Sequence, residues 1–121
     1  MDYILEYIRA TVGPAVDYTP FDPDMLLFIN SAFSDLYSLG IGPANGFKVP
    51  ETDAPWSDFL EEGPILEWCK EFIYLNVRLR FDPPSNSFLV NALKDRVTEL
   101  RNLLNAEREA KKFEEEEESN D

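Results

Sequence analysis

The chain has 121 residues, 44% apolar and 13% aromatic, which allows one buried core and is too apolar for a wholly disordered chain. Its net charge of −13 repels duplex phosphate and argues against sequence-specific nucleic-acid binding. It has no histidine and a single cysteine, Cys69. That removes the commonest general base, the usual zinc ligand, every Ser-His or Cys-His nucleophile and any intrachain disulfide.

The longest apolar run, Met25 to Ile29, is too short to span a bilayer. The start, Met1-Asp2-Tyr3, lacks the basic and apolar regions of a signal peptide, so a soluble cytoplasmic chain with no membrane partner is expected. Charge is segregated. Residues 1–69 sum to −10, residues 70–113 to +3 and residues 114–121 to −6.

In chain order, Ile4, Leu5, Ile8 and Val12 recur at helical spacing and Gly13-Pro14 closes a short first helix. A connector spans 13–21. Asp22-Pro23-Asp24 then reads as a helix start, with Asp22 as N-cap and Pro23 at the first helical position. Met25, Ile29, Ala32, Phe33, Leu36 and Leu39 form its apolar face, and Gly40 is placed to end it. Leu27 and Phe28 fall off that stripe, as ordinary exposed apolars or as a subunit contact. In the glycine- and proline-rich stretch 41–63, Phe47-Lys48-Val49 reads as a brief strand pairing near Trp56, and 55–60 as one helical turn. Trp56 and Phe59 are expected to anchor this loop to the core, with an interface role as the alternative.

Gly63-Pro64 opens the most apolar helix, in which residues 65–79 present an apolar arc of about 200°. So wide an arc belongs at the centre of a bundle, with Trp68 and Phe72 as anchors and Cys69 as a small core residue. Asn76 and Arg80 project into the arc and must find polar partners or face something wet. Asp82-Pro83-Pro84 forbids helix continuation, and Ser85 or Ser87 is suited to cap the last helix. That helix is expected to bury Leu89, Leu93, Val97, Leu100, Leu103 and Leu104, with Ala92 on the same side. Arg96 lies within that arc, either snorkelling or pairing across a subunit boundary. Glu114 to Glu118 set like charges against the helix dipole, so fraying is expected from about residue 112. A solvated tail competes there with a docking tail or an electrostatic fender against DNA.

The expected fold is all-α, a small bundle of about four to five helices with a long C-terminal helix. A short strand or hairpin in the 43–58 loop stays open. The expected division is a helical-bundle domain over 1–112 and a disordered acidic tail over 113–121. Glu61-Glu62 is no spaced catalytic dyad, and Gly40-Ile41-Gly42 comes after a helix and lacks the Lys-Ser/Thr of a phosphate loop. No catalytic, cofactor or metal residue is expected, and the chain reads as a non-enzyme.

The run Phe72-Ile73-Tyr74-Leu75-Asn76-Val77-Arg78-Leu79-Arg80-Phe81-Asp82-Pro83-Pro84, continuing into Ser85 to Ser87 and Asn91-Ala92-Leu93-Lys94, resembles a recurring stretch of the head–tail connector (adaptor) proteins of tailed bacteriophages. Asp35 to Pro43 and Trp56 to Leu60 also resemble family positions, so the likeness covers about residues 20–105. In the family the Asn76 position often carries lysine and the Arg80 position is often apolar, so the charge has moved one helical turn. The resemblance implies a bundle that assembles as a homo-oligomeric, dodecameric ring beneath the portal of the virion. It extends the DNA channel without specific DNA binding and docks the next neck, stopper or tail protein. Leu27, Phe28, Asn76, Arg78, Arg80, Phe81, Pro83, Pro84 and Arg96 are the candidate subunit or portal contacts. The competing readings are an acidic DNA mimic that inhibits a nuclease or repressor, and a cytosolic helical adaptor.

Overall fold

The computed structural model describes residues 2–13 and 17–119, without the side chains of 115–119. Pro14, part of the expected first helix stop, and residues 120 and 121 of the expected tail lie outside the described residues. Among the described residues there are four α-helices, α1 (Ile4–Val12), α2 (Asp22–Ser38), α3 (Pro64–Phe81) and α4 (Ser87–Ser119), plus one 3-10 turn at Trp56–Asp58. The all-α bundle and its long last helix are as the apolar periodicities predict. Among the described residues no helix is long and apolar enough to cross a membrane.

The centre is α3, which packs against α1, α2 and α4. Its Leu66, Cys69, Phe72, Ile73, Leu75 and Val77 are all buried, joining Ile4, Leu5 and Ile8 of α1 and Met25, Ile29, Phe33 and Leu36 of α2 in one core. Full burial of such side chains stabilises the fold by roughly 1.5–3 kcal/mol each. Burial pushes the Cys69 thiol up to about 12, which suits an inert core residue.

The local starts and stops have identifiable chemical causes. Leu39 caps α2 and Gly40 comes next at φ +80, donating to Tyr37 O while Ile41 N–H reaches Leu36 O. This is a Schellman ending, with both Leu36 and Ile41 buried. A side chain at Gly40 would also meet the Arg108 Nε at 2.5 Å, so α4 lies closely over this turn. Asp22 is not the α2 cap. It is the first helical residue, after Phe21, and its carboxylate pairs instead with Arg9 Nε at 3.0 Å, tying α1 to α2. The cap of α4 is neither expected serine but Asn86 between them, whose Oδ1 accepts from Phe88 N–H at 2.8 Å.

The loop 41–63 contains no strand, contrary to the reading of Phe47 to Val49. The reason is Asn30 of α2. Its side-chain amide takes both backbone groups of Val49, accepting from N–H at 2.8 Å and donating to C=O at 3.1 Å. One side chain thereby does what a neighbouring strand does elsewhere. The isolated β-bridge lies at Tyr3 and Pro55. The turn expected at 55–60 forms, and Trp56 and Phe59 are buried as anchors, edge-on to Tyr7 and Phe33 respectively.

The helical backbone of α4 also runs past residue 112, where fraying is expected to begin, and continues to Ser119. Nothing after Asn105 breaks a helix. The segment holds strong helix formers (Ala, Glu, Lys, Arg) and no glycine or proline.

Candidate assembly surface

The apolar stripe of α4 is only partly covered. Val97, Leu100 and Leu104 are buried and Leu93 and Leu103 pack beside them, but Leu89 is 50% exposed and Ala92 is also exposed. The expected burial of Leu89 and Ala92 therefore does not hold. Among the described helices α4 packs chiefly on α3. Phe88, beside Leu89, is the most exposed large apolar residue among the described residues at 79%.

Further apolar groups lie at the end of α3, before the corner that leads into α4. Phe81 at the end of α3 packs edge-on against Phe21 at a centroid distance of 5.2 Å, and Phe21 in turn lies 5.6 Å from Tyr18. Both Tyr18 and Phe21 are exposed. Pro83 is exposed and Pro84 half-buried at the corner between α3 and α4. Leu27, on the outer side of α2, is 66% exposed, whereas its neighbour Phe28 packs against the core. Of the eight exposed large apolar groups among the described residues, Tyr18 and Phe21 thus lie by the end of α3, and Phe88 and Leu89 follow the Asp82-Pro83-Pro84 corner within a few residues, while Tyr3, Leu27, Tyr37 and Phe113 are on other parts of the chain.

The polar candidates divide by what they touch. Asn76 donates to Phe72 O one turn back at 2.7 Å, so its amide is satisfied within α3. Arg78 Nη1 donates to the Tyr74 hydroxyl at 3.0 Å, and its buried Nε has no hydrogen-bond partner among the described residues. Arg80 is exposed and reaches α2, where Nη1 donates to Ser31 Oγ at 3.1 Å. Arg96 is engaged within the chain. Its Nε and Nη2 grip both oxygens of Glu71 at 2.8 and 2.9 Å, and Nη1 meets Glu99 at 2.6 Å. This fork-on-fork pair staples α4 to α3, and its hydrogen bonds hold the Glu71 carboxyl below the ordinary carboxylate range.

Trp68 is half-buried and Phe72 fully buried. The sequence reading missed Asp53. At φ +77 it turns its carboxylate onto the start of α1, accepting from Leu5 N–H at 2.8 Å and Glu6 N–H at 3.1 Å. It supplies the cap that Tyr3 cannot, from 48 residues away in sequence. The only signal for it was that Tyr3, directly before Ile4, is no capping residue, which leaves α1 with an uncapped start.

The described residues thus combine an apolar corner, an ion-pair staple within the chain and segregated charge. A family model described as phage connector protein matches residues 4–111, nearly the whole bundle. No curated protein and no solved structure matches the chain. The chain therefore belongs to the phage connector protein family, whose role is structural, within the phage particle and in association with head and tail components.

Proposed function

We propose that this protein is a head–tail connector that assembles as a dodecameric ring beneath the portal. The ring continues the DNA channel and offers its far side to the next neck, stopper or tail protein. The observation that carries this reading is the family match over 4–111, and the uncovered apolar corner supports it. A monomer gains nothing by leaving Phe88, Leu89 and Leu27 in water, whereas burying them against a neighbour is favourable.

Leu27, Phe81, Pro83 and Pro84 are the apolar contacts in this proposal, with Arg78 and Arg80 as polar contacts beside them. Phe28, Asn76 and Arg96 serve it by fixing the helices that present those groups. Segregated charge supports lateral packing, an acidic first half against a more basic α3–α4 half. An acidic lumen lets DNA pass without adhering. The ring works by geometry and electrostatics, with no catalytic step.

Mixing the purified protein with portal-bearing capsids and imaging them tests the proposal. A ring of stoichiometric density at the portal vertex is the expected result. Indifference to portals, with binding to a nuclease in competition with DNA, contradicts it and selects the DNA-mimic reading.

A further inference from the structure

Two unlike apolar features lie on different elements of one copy. The first is a projection, Phe88 and Leu89 on the opening turn of α4. The second is a groove of about 530 Å³ between α2 and the loop after Lys48, floored by Leu26, Leu27, Val49 and Pro50. No residue of α4 lines it, so the projection does not fill the groove of its own chain. The Asn30 amide clamps Val49 through two hydrogen bonds and holds the groove open in advance, which lowers the ordering cost of filling it.

Opposite charges lie beside the two features, Asp95 on α4 and Lys48 at the groove, which Glu51 also lines. Asp95 lies seven residues after Phe88, hence on the same helix face about 10 Å further along α4. Lys48 stands on the edge of the groove. Both are exposed, and neither has an ion-pair partner among the described residues.

We propose that Phe88 and Leu89 of one copy seat in the α2–loop groove of a second copy, with Asp95 meeting that copy's Lys48. The contact rests on the ring reading above and gives it a mechanism. A projection and a groove are different surfaces, so the contact repeats head to tail, and such contacts form a ring where the rotation between copies closes, whereas self-matching patches give pairs.

The test uses wild-type and variant chains on portal-bearing capsids, with ring density at the vertex as readout and thermal unfolding as the control for folding. F88D and L27D place a charge at exposed positions, so their thermal midpoints stay at the wild-type value while each loses the ring. D95K and K48D each weaken the ring, and the chain carrying both reversals regains it. A ring from F88D or L27D equal to wild type overturns the contact, as does loss in only one of the two. A double reversal no better than the single ones also overturns it. Failure of the wild-type chain to join capsids removes the ring reading and the contact together, and is distinct from failure of the variants alone.

Discussion

α3 and α4 are both leucine-rich and amphipathic and pack together across one proline corner, yet they end in different environments. α3 has a neighbour on three sides and buries Phe72, Ile73 and Val77 completely. α4 has chiefly α3, buries Val97, Leu100 and Leu104, and leaves Phe88 and Leu89 in solvent. An apolar stripe shows which face of a helix seeks burial. Whether a neighbour within the same chain supplies that burial is a property of the packing, and at the start of α4 Phe88 and Leu89 remain exposed.

The sharpest way to test this contrast is chemical. With its thiol pushed up to about 12 and enclosed by the core, Cys69 stays protonated at about pH 8, near the ordinary thiol pKa. Alkylation of Cys69 should track the rate of unfolding, whereas a cysteine introduced by Leu89→Cys should react as a free surface thiol. Equal rates at the two positions would dissolve the distinction. In stability the contrast is nearly as large. Phe72→Ala removes a fully buried ring and is expected to cost about 3–5 kcal/mol in denaturant unfolding. Leu89→Ala should stay within about 0.5 kcal/mol of wild type.

A smaller effect separates the loop from the helices. Asp53→Ala takes the cap off α1 and should cost about 1–2 kcal/mol, while Asp53→Asn, which keeps an accepting oxygen, should cost less. The smallest concerns the staple between α3 and α4. The folded pKa of Glu71 lies below its unfolded value, so the stability it contributes is present above about pH 4.3 and is lost as pH falls through the folded value. Both partners are more than a third exposed, so the contribution is modest. Glu71→Gln should flatten the acid limb of the stability–pH curve slightly, and an unchanged limb would show that the pair adds nothing.

Where local patterns decide structure, the sequence was informative. The extents of α1 and α3, the Gly40 ending, the turn at Trp56 and the central place of α3 are consequences of periodicity and punctuation. Features that depend on distant partners were not legible. Asp53 caps a helix from 48 residues away. Asn30 occupies both backbone groups of Val49, so the β-prone Phe47 to Val49 never pairs as a strand. Arg96, expected to snorkel or to pair across a subunit boundary, meets Glu71 on α3 of its own chain, and nothing in the sequence sets Glu71 apart from an ordinary surface acid. The candidate assembly surface was half legible. Leu27 stands off its stripe, but nothing in the sequence marks Phe88, and Leu89 falls on the apolar stripe of α4, because the uncovered length of α4 depends on where the other helices end.

The central claim is that the start of α4 is an assembly surface rather than an incomplete core. Side-chain oxidative footprinting of the free and the capsid-bound protein measures this directly. Phe88 and Leu89 should be readily modified in the free chain and strongly protected on the capsid, while Phe72 stays protected in both. Phe88 and Leu89 modified as readily on the capsid as in the free chain would contradict the account.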